Sequence, residues 1–288
     1  LEIKGRHFLQ YTSHFPETNE ACERPHVTVF CAVWHKQPNK LELLCSHWEN
    51  LKSQSLGVEP CYIFDNGDQA PDWLDAPWHS FSEPLTIYEA WSAGVALSRT
   101  RFVAQLNMDD RLASNAIEAM LAMLLKNEVS FVSGDWRICF DQAHMDEKFE
   151  IEDVNNTQFK PDWPPKQVEN LRLGSGTKER GTYGPCNLWD TNVIGRFYPS
   201  HFHNGEPILS AGDALFWHLL ERSNIKMLRL AAIIGRYYSD PETQGEFRPH
   251  RDFENAAEHG ISQVSFGSRI LSGEIPQVSA ENTPASAA

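Results

Sequence analysis

The sequence predicts an α/β fold: one domain with a mainly parallel central sheet flanked by helices. Three observations lead there. Strand-like and helix-like segments alternate from Val27 to Ser133. The first strand candidate, Val27-Thr-Val-Phe-Cys-Ala-Val-Trp34, is an unbroken apolar run rich in β-branched residues, as expected of a strand buried on both faces. A helix separates it from the next strand candidate, and that crossover makes the two strands parallel.

The elements follow in order. Residues 1–25 read as an N-terminal extension laid against the core, broken by Pro16 and Pro25. A helix is expected from Lys40 to Ser53, where Leu41, Leu44, Cys45, Trp48 and Leu51 fall at helical spacing. Cys61-Tyr-Ile-Phe64 is a second strand, stopped by the turn composition Asp65-Asn-Gly-Asp68. Residues 69–86 contain Pro71, Pro77 and Pro84 and have no clear period, so they read as loop with at most a short strand. Ile87–Ser98 reads as helix, and Phe102–Leu106 as a strand that runs into Asn107-Met-Asp-Asp-Arg111. Ser114 is placed to cap a helix over Asn115–Asn127, and Val129–Ser133 is a further strand. Residues 141–186 are polar and include Gly174-Ser-Gly176; a loop of this length within a compact domain is usually functional or mobile. Asp213 opens an amphipathic helix with Leu215, Phe216, Leu219 and Leu220 on its apolar side, and Lys226–Gly235 reads as strand. These elements put the domain at residues 26–250, with 251–288 as a C-terminal tail whose end is disordered.

Composition narrows the function. The 288 residues carry 25 Lys+Arg against 39 Asp+Glu, a formal net charge of −14. No basic footprint is large enough for a nucleic-acid polymer. An acidic chain can still hold a single phosphate group through a metal ion or a helix N-terminus. Nine Trp and 16 Phe provide for a sizeable core and exclude wholesale disorder. No stretch approaches the ~20 apolar residues of a membrane span. No signal-peptide pattern follows Leu1, and the six cysteines lack CxxC spacing and read as buried reduced thiols. The expected location is cytoplasmic, with peripheral attachment to a membrane left open.

Ligands of parallel α/β sheets bind beyond the carboxyl ends of the strands. Two polar clusters follow strand candidates, Asp65-Asn66-Gly67-Asp68 and Asn107-Met108-Asp109-Asp110, and Gly212-Asp213 opens a helix. Asp109 and Asp110 are adjacent carboxylates after a buried strand, where they would repel each other and resist desolvation. A hard cation, Mg²⁺ or Mn²⁺, relieves both penalties and prefers oxygen ligands completed by phosphate. The plainer alternative is that the pair starts a turn and caps the next helix. His201-Phe-His203 reads either as a chelate or as the lining of a ligand site. Trp136, Trp189 and Trp217 read either as core or as flat platforms on which a ligand ring could stack, Trp189, in its Gly/Pro-rich context, being the best candidate of the three.

Taken together, these motifs resemble family 2 glycosyltransferases of the GT-A fold over residues 27 to 213. Trp34 stands where the first strand of that family ends near the nucleotide base, and Asp65-Asn66-Gly67-Asp68 where the second strand ends. Ala90-Trp-Ser-Ala-Gly94 leads to Leu106-Asn107-Met108-Asp109-Asp110 at the place of the metal-binding Asp-x-Asp. Gly212-Asp213 stands where an acidic pair carries the catalytic base. The resemblance implies a nucleotide-binding half over 26–135 and an acceptor-binding half over 136–250. It implies metal-dependent, inverting transfer of a sugar from a nucleotide-sugar donor, most simply a UDP-sugar, to the hydroxyl of a glycan or other acceptor. Asp213 would be the general base. Trp34 would pack on the base ring, Asp65 would accept a hydrogen bond from it, and Asn107 would bond the ribose. Asp109 would hold Mn²⁺ or Mg²⁺. Asp110 would support the metal or hold nearby backbone, and His250, in Arg248-Pro-His-Arg251, would complete the metal shell or close over the diphosphate. Three residues depart from the pattern: Asn107 for the first Asp, Gly212 for the acidic neighbour of the base, and Asp68 for the usual Ser. Asn107 and Gly212 motivate an alternative, a nucleotide- or sugar-binding module that has lost catalysis. A nucleotidyltransferase is a weaker alternative, because Trp34-His-Lys-Gln-Pro38 lacks the glycines of its phosphate loop.

Overall fold

The computed structural model describes residues 9–16, 26–139, 145–153, 183–238 and 252–279. Within them one sheet of ten strands runs through the molecule. Its strands are β1 (Tyr11–His14), β2 (Val27–Val33), β3 (Val58–Phe64), β4 (Trp78–Phe81), β5 (Phe102–Gln105), β6 (Arg111–Leu112), β7 (Phe131–Cys139), β8 (Glu152–Asp153), β9 (Asn187–Asp190) and β10 (Met227–Tyr238). The helices are α1 (Lys40–Lys52), α2 (Ile87–Leu97), α3 (Ala116–Lys126), α4 (Thr191–Ile194), α5 (Gly212–Arg222), α6 (Asp252–His259) and α7 (Phe266–Leu271). The spatial order is β1-β4-β3-β2-β5-β9-β7-β10-β6, with β8 beside β10.

The expected α/β architecture is present, and the strands the sequence pattern identified carry its parallel part. β2 pairs in parallel with β3 and β5, β3 with β4, and β7 with β10. β9 is inserted antiparallel between β5 and β7, which leaves β7 and β10 pointing the same way as β2. β1, β6 and β8 are antiparallel additions at or near the edges.

β2 is buried on both faces because its alternate residues serve two cores. Phe30 faces the cluster of Ile63, Phe81, Trp91, Phe131, Trp189 and Phe266. Val27 and Val29 face the cluster that α3 covers with Ile117, Met120 and Leu124. Each such side chain withdrawn from water contributes about 1.5–3 kcal/mol. The small residues of α2 have a packing cause. A Cβ on Gly94 would lie 2.7 Å from the Phe30 ring, so only glycine lets α2 lie this close to β2. On the other side of α2, the Gly267 N–H donates to Ser92 Oγ at 2.8 Å, and a Cβ there would meet the Ser92 carbonyl oxygen at 2.4 Å.

Several expectations are corrected. Ser114 does not cap α3; the helix starts after Asn115 without a side-chain cap, and the Ser114 N–H bonds the Phe149 carbonyl. β7 runs to Cys139 rather than stopping at Ser133, because β10 pairs along its whole length. The N-terminal extension lies against the core as expected, where it supplies β1 along the β4 edge with Tyr11 opposite Phe81. Residues 252–279 pack back on the core. α7 buries Phe266 and Ile270, and Val278 and Pro276 bond the Tyr11 backbone. Trp136, Trp189 and Trp217 are not platforms: all three are core, at 0%, 0% and 2% exposure. Trp189 sits in the central strand β9 with its ring edge against Phe30, 5.8 Å between centroids. Of the described cysteines, Cys31, Cys61, Cys139 and Cys186 are buried thiols, and Cys45 is half-buried. No helix among the described residues is long and apolar enough to cross a membrane.

Gly235 offers a check on this packing. It lies opposite Trp136 in the β7–β10 pairing, where β10 is irregular, and a Cβ on it would fall 2.3 Å from the indole. Gly235→Ala should cost about 1–3 kcal/mol through overpacking, read as a lower midpoint in urea.

Candidate active site

The site forms where β3, β2 and β5 lie side by side and end on one edge. Parallel pairing brings their carboxyl ends together, so Asp65 after β3, Trp34 after β2 and Asn107 to Asp109 after β5 converge without being near in sequence. A cleft of about 450 Å³ opens at that edge. It is lined by Trp34, Asp65, Asn107 and Asp109, with Thr86, Ile87 and Leu209 among the residues opposite.

Asp65 is 3% exposed and is held from two loops. Its Oδ1 accepts the His35 N–H at 2.8 Å, and its Oδ2 accepts the Leu85 N–H at 3.1 Å and pairs with His35 Nδ1 at 2.9 Å. The Asn66-Gly67 turn behind it takes positive φ at both residues (56° and 75°), which the Asn-Gly dipeptide tolerates. Trp34 is 49% exposed, an indole left on the rim where a planar ring could lie on it. Asn107 donates from Nδ2 to Asp110 Oδ2 at 3.2 Å, which leaves its amide oxygen as the end able to face the cleft. Asp109 is half-buried in the lining.

Asp110 turns the other way. It is fully buried, is absent from the cleft wall, and its Oδ1 accepts the Tyr238 N–H at 3.3 Å. Burial, and then the neighbouring Asp109 charge, push its carboxyl well above the usual range. This bond ties the Asn107–Asp110 turn to the end of β10. Arg111 fixes the same turn, donating from Nη1 to the carbonyls of Met108 and Asp110.

Asp213 lies in the first turn of α5, where its Oδ1 accepts the Ala214 N–H at 2.8 Å. It does not line the cleft itself. It stands close to it: Leu209, just upstream, lines the cleft, and a Cβ on Gly212 would meet the Tyr88 ring at 2.6 Å, beside the lining residue Ile87. The absence of an acidic neighbour thus has a steric reason, since Tyr88 fills the space a side chain at 212 would need. Burial raises the phenols of Tyr88 and Tyr198, and the Asp213 charge raises them further. Ala211 enters α5 at φ 51°, a left-handed backbone that costs a non-glycine residue roughly 1–2 kcal/mol.

His250 and Gly174-Ser-Gly176 lie outside the described residues. His201 and His203 diverge: His201 is buried 3.4 Å from Glu89 Oε1, and His203 is exposed. Among the described residues no three His, Cys, Asp or Glu side chains cluster to hold a metal ion. Sequence reasoning missed His35 and Leu85 as the clamp on Asp65. It also missed Thr86-x-x-Glu89, a readable capping-box signal, whose two reciprocal bonds fix the α2 end that lines the cleft.

No protein-family model matches this chain, and no curated protein matches its sequence. Solved structures do match. The crystal structure of S. aureus TarS is similar with a TM-score of 0.51 at 11% identity, over 75% of this chain and 37% of that one. TarS 1–349 in complex with UDP gives 0.51 at 12% identity, over 75% of this chain and 61% of that one. TarS 1–349 in complex with UDP-GlcNAc gives 0.51 at 10% identity, over 74% and 58%. This chain has a GT-A-like glycosyltransferase fold. It spans between about a third and three fifths of the length of these structures. At such identities the likeness is one of fold.

Proposed function

We propose that this protein is a glycosyltransferase that takes a sugar from a nucleotide-sugar donor, UDP-linked in the simplest case, and passes it to a hydroxyl of a glycan or other acceptor with inversion. The observation that carries the reading is the convergence of Trp34, Asp65, Asn107 and Asp109 on one cleft at the carboxyl edge of β3-β2-β5. UDP and UDP-GlcNAc bound to structures of the same fold agree with it.

In this reading Trp34 stacks on the base, Asp65 accepts a hydrogen bond from it, and Asn107 bonds a ribose hydroxyl or, through its amide oxygen, the cation. The donor set suits a divalent cation of the Mg²⁺ or Mn²⁺ kind. Asp109 supplies a hard carboxylate oxygen, and a cation that keeps several waters and takes phosphate oxygens needs few protein ligands. Such a cation, when bound, neutralises charge on the departing diphosphate. Asp213 takes the proton of the acceptor hydroxyl as its oxygen attacks the anomeric carbon. A single displacement needs one base and no covalent nucleophile.

A second reading, a module that binds the nucleotide-sugar without turnover, is favoured by one feature. With Asn107 neutral and Asp110 buried, Asp109 is the one carboxylate of the Asn107–Asp110 turn that lines the cleft. One experiment addresses both readings: melting curves with nucleoside diphosphates and their sugars, with and without Mn²⁺, alongside release of the nucleotide. Stabilisation by UDP that requires Mn²⁺, together with UDP release, is the expected result. Stabilisation without release would leave the binding module, and no response to any nucleotide would end both readings.

A further inference from the structure

The segment Leu209-Ser210-Ala211 stands in sequence between the cleft residue Leu209 and Asp213, outside any strand or helix. The α5 ladder begins only with the Leu215 N–H donating to the Ala211 carbonyl. The amides of residues 209 and 210 lie ahead of that ladder and bond elsewhere. The acceptor is a single oxygen from the far end of the chain. Asp252, the first residue of α6 and 7% exposed, accepts with Oδ2 from the Leu209 N–H at 2.9 Å, the Ser210 N–H at 2.8 Å and Ser210 Oγ at 3.0 Å. Its Oδ1 faces Asn255 Nδ2 at 3.4 Å.

The geometry gives these bonds a consequence beyond packing. Leu209 holds a 66% exposed side chain against the cleft, a position its backbone must fix because its side chain has little to pack on. Ala211 next adopts its left-handed conformation, and Gly212 then abuts the Tyr88 ring. The chain entering α5 is thus held by Asp252 on one side of Ala211 and by Tyr88 on the other. Asp213 is the next residue. Charge-assisted hydrogen bonds are roughly twice as strong as neutral ones, and three of them on two consecutive residues leave that segment little freedom.

We infer that Asp252 is a positioning residue, which fixes residues 209–211 and thereby sets both the Leu209 wall of the cleft and the reach of the Asp213 carboxylate. The inference rests on the glycosyltransferase reading for its catalytic half, and on geometry alone for its structural half.

The test compares Asp252→Leu, Asp252→Asn and Ser210→Ala with the wild-type chain by three readouts. These are amide exchange at Leu209 and Ser210, the melting shift given by UDP with Mn²⁺, and release of UDP from UDP-GlcNAc or whichever other UDP-sugar the wild type turns over. Asp252→Leu should speed exchange at the two amides by about tenfold or more. It should slow release by about 100-fold, the usual effect of misplacing a reacting group by an ångström. The UDP–Mn²⁺ melting shift should change far less than release, because Asp252 holds one residue of the cleft wall, Leu209, while the donor contacts Trp34, Asp65, Asn107 and Asp109 follow β2, β3 and β5. Asp252→Asn keeps an acceptor oxygen and should recover release to within about fivefold of wild type. Ser210→Ala loses only the hydroxyl bond and should move exchange and release the same way by smaller factors, which keeps the test sharp if Asp252→Leu does not fold. Unchanged exchange in these variants would overturn the inference outright. Faster exchange with unchanged release would overturn its catalytic half. A wild-type chain that neither binds nor cleaves any nucleotide-sugar would bring down the glycosyltransferase reading and that half with it, while exchange still decides the structural half.

Discussion

Asp213→Asn is expected to lower turnover by about 10²- to 10⁴-fold, the range lost with a general base, and to leave nucleotide binding intact. The substitution keeps the shape of the side chain. An amide oxygen can still accept the Ala214 N–H that Asp213 Oδ1 now accepts at 2.8 Å. What it removes is the capacity to take a proton from an acceptor hydroxyl. The competing explanation is that Asp213 is an acid placed in the first turn of α5 to complement the helix dipole, a contribution of about 0.3–1 kcal/mol. That explanation predicts a small fall in melting temperature and nearly normal turnover. Steady-state rates of UDP release, set beside UDP–Mn²⁺ melting shifts on the same samples, separate the two. A variant with near-wild-type turnover would sink the base assignment.

The second large effect is expected at Asp109. Asp109→Asn should abolish the metal-dependent part of nucleotide binding while leaving the free protein at least as stable as before. A ligand at 100 times its Kd stabilises by about 2.7 kcal/mol, and losing it should remove a melting shift on the order of 5 °C. The stability of the free protein follows from Asp110. Its carboxyl is pushed up by burial and then by the Asp109 charge, so neutralising Asp109 relieves a repulsion between adjacent side chains. A variant that melts lower without ligand would assign Asp109 a structural role instead. A UDP shift that still required Mn²⁺ would remove Asp109 from the site.

The residues of the cleft were legible because each sits at the end of a strand that the sequence marks clearly. Val27–Val33 is a continuous apolar run, and Asp65 and Asn107 follow directly on apolar strands. Chain polarity does the rest, since parallel neighbours must end on the same edge. The three tryptophans were not legible. Trp136, Trp189 and Trp217 look alike as candidates for core or for a sugar platform, and a single side chain carries no record of which face of the molecule it will occupy. β9 is the clearest case: four residues flanked by Gly184, Pro185 and Gly195 have too few periods to show a pattern, yet they form a central strand. The opposite facing of Asp109 and Asp110 was also unreadable, because the Tyr238 N–H that turns Asp110 inward comes from the far end of β10.

Local pattern was enough for the α/β class, the parallel run of β2, β3 and β5, and the polar residues that gather at its carboxyl edge. These follow from alternation, helical period and the direction of the chain. Long-range packing settled that β9 splits the parallel sheet, that Asp110 is buried while Asp109 lines the cleft, and that residues 252–279 return to the core. It alone placed Asp252 under residues 209 and 210. The physical reason is common to all four. Each depends on which buried donor meets which acceptor across a long separation in sequence, and that is settled only when the whole core closes.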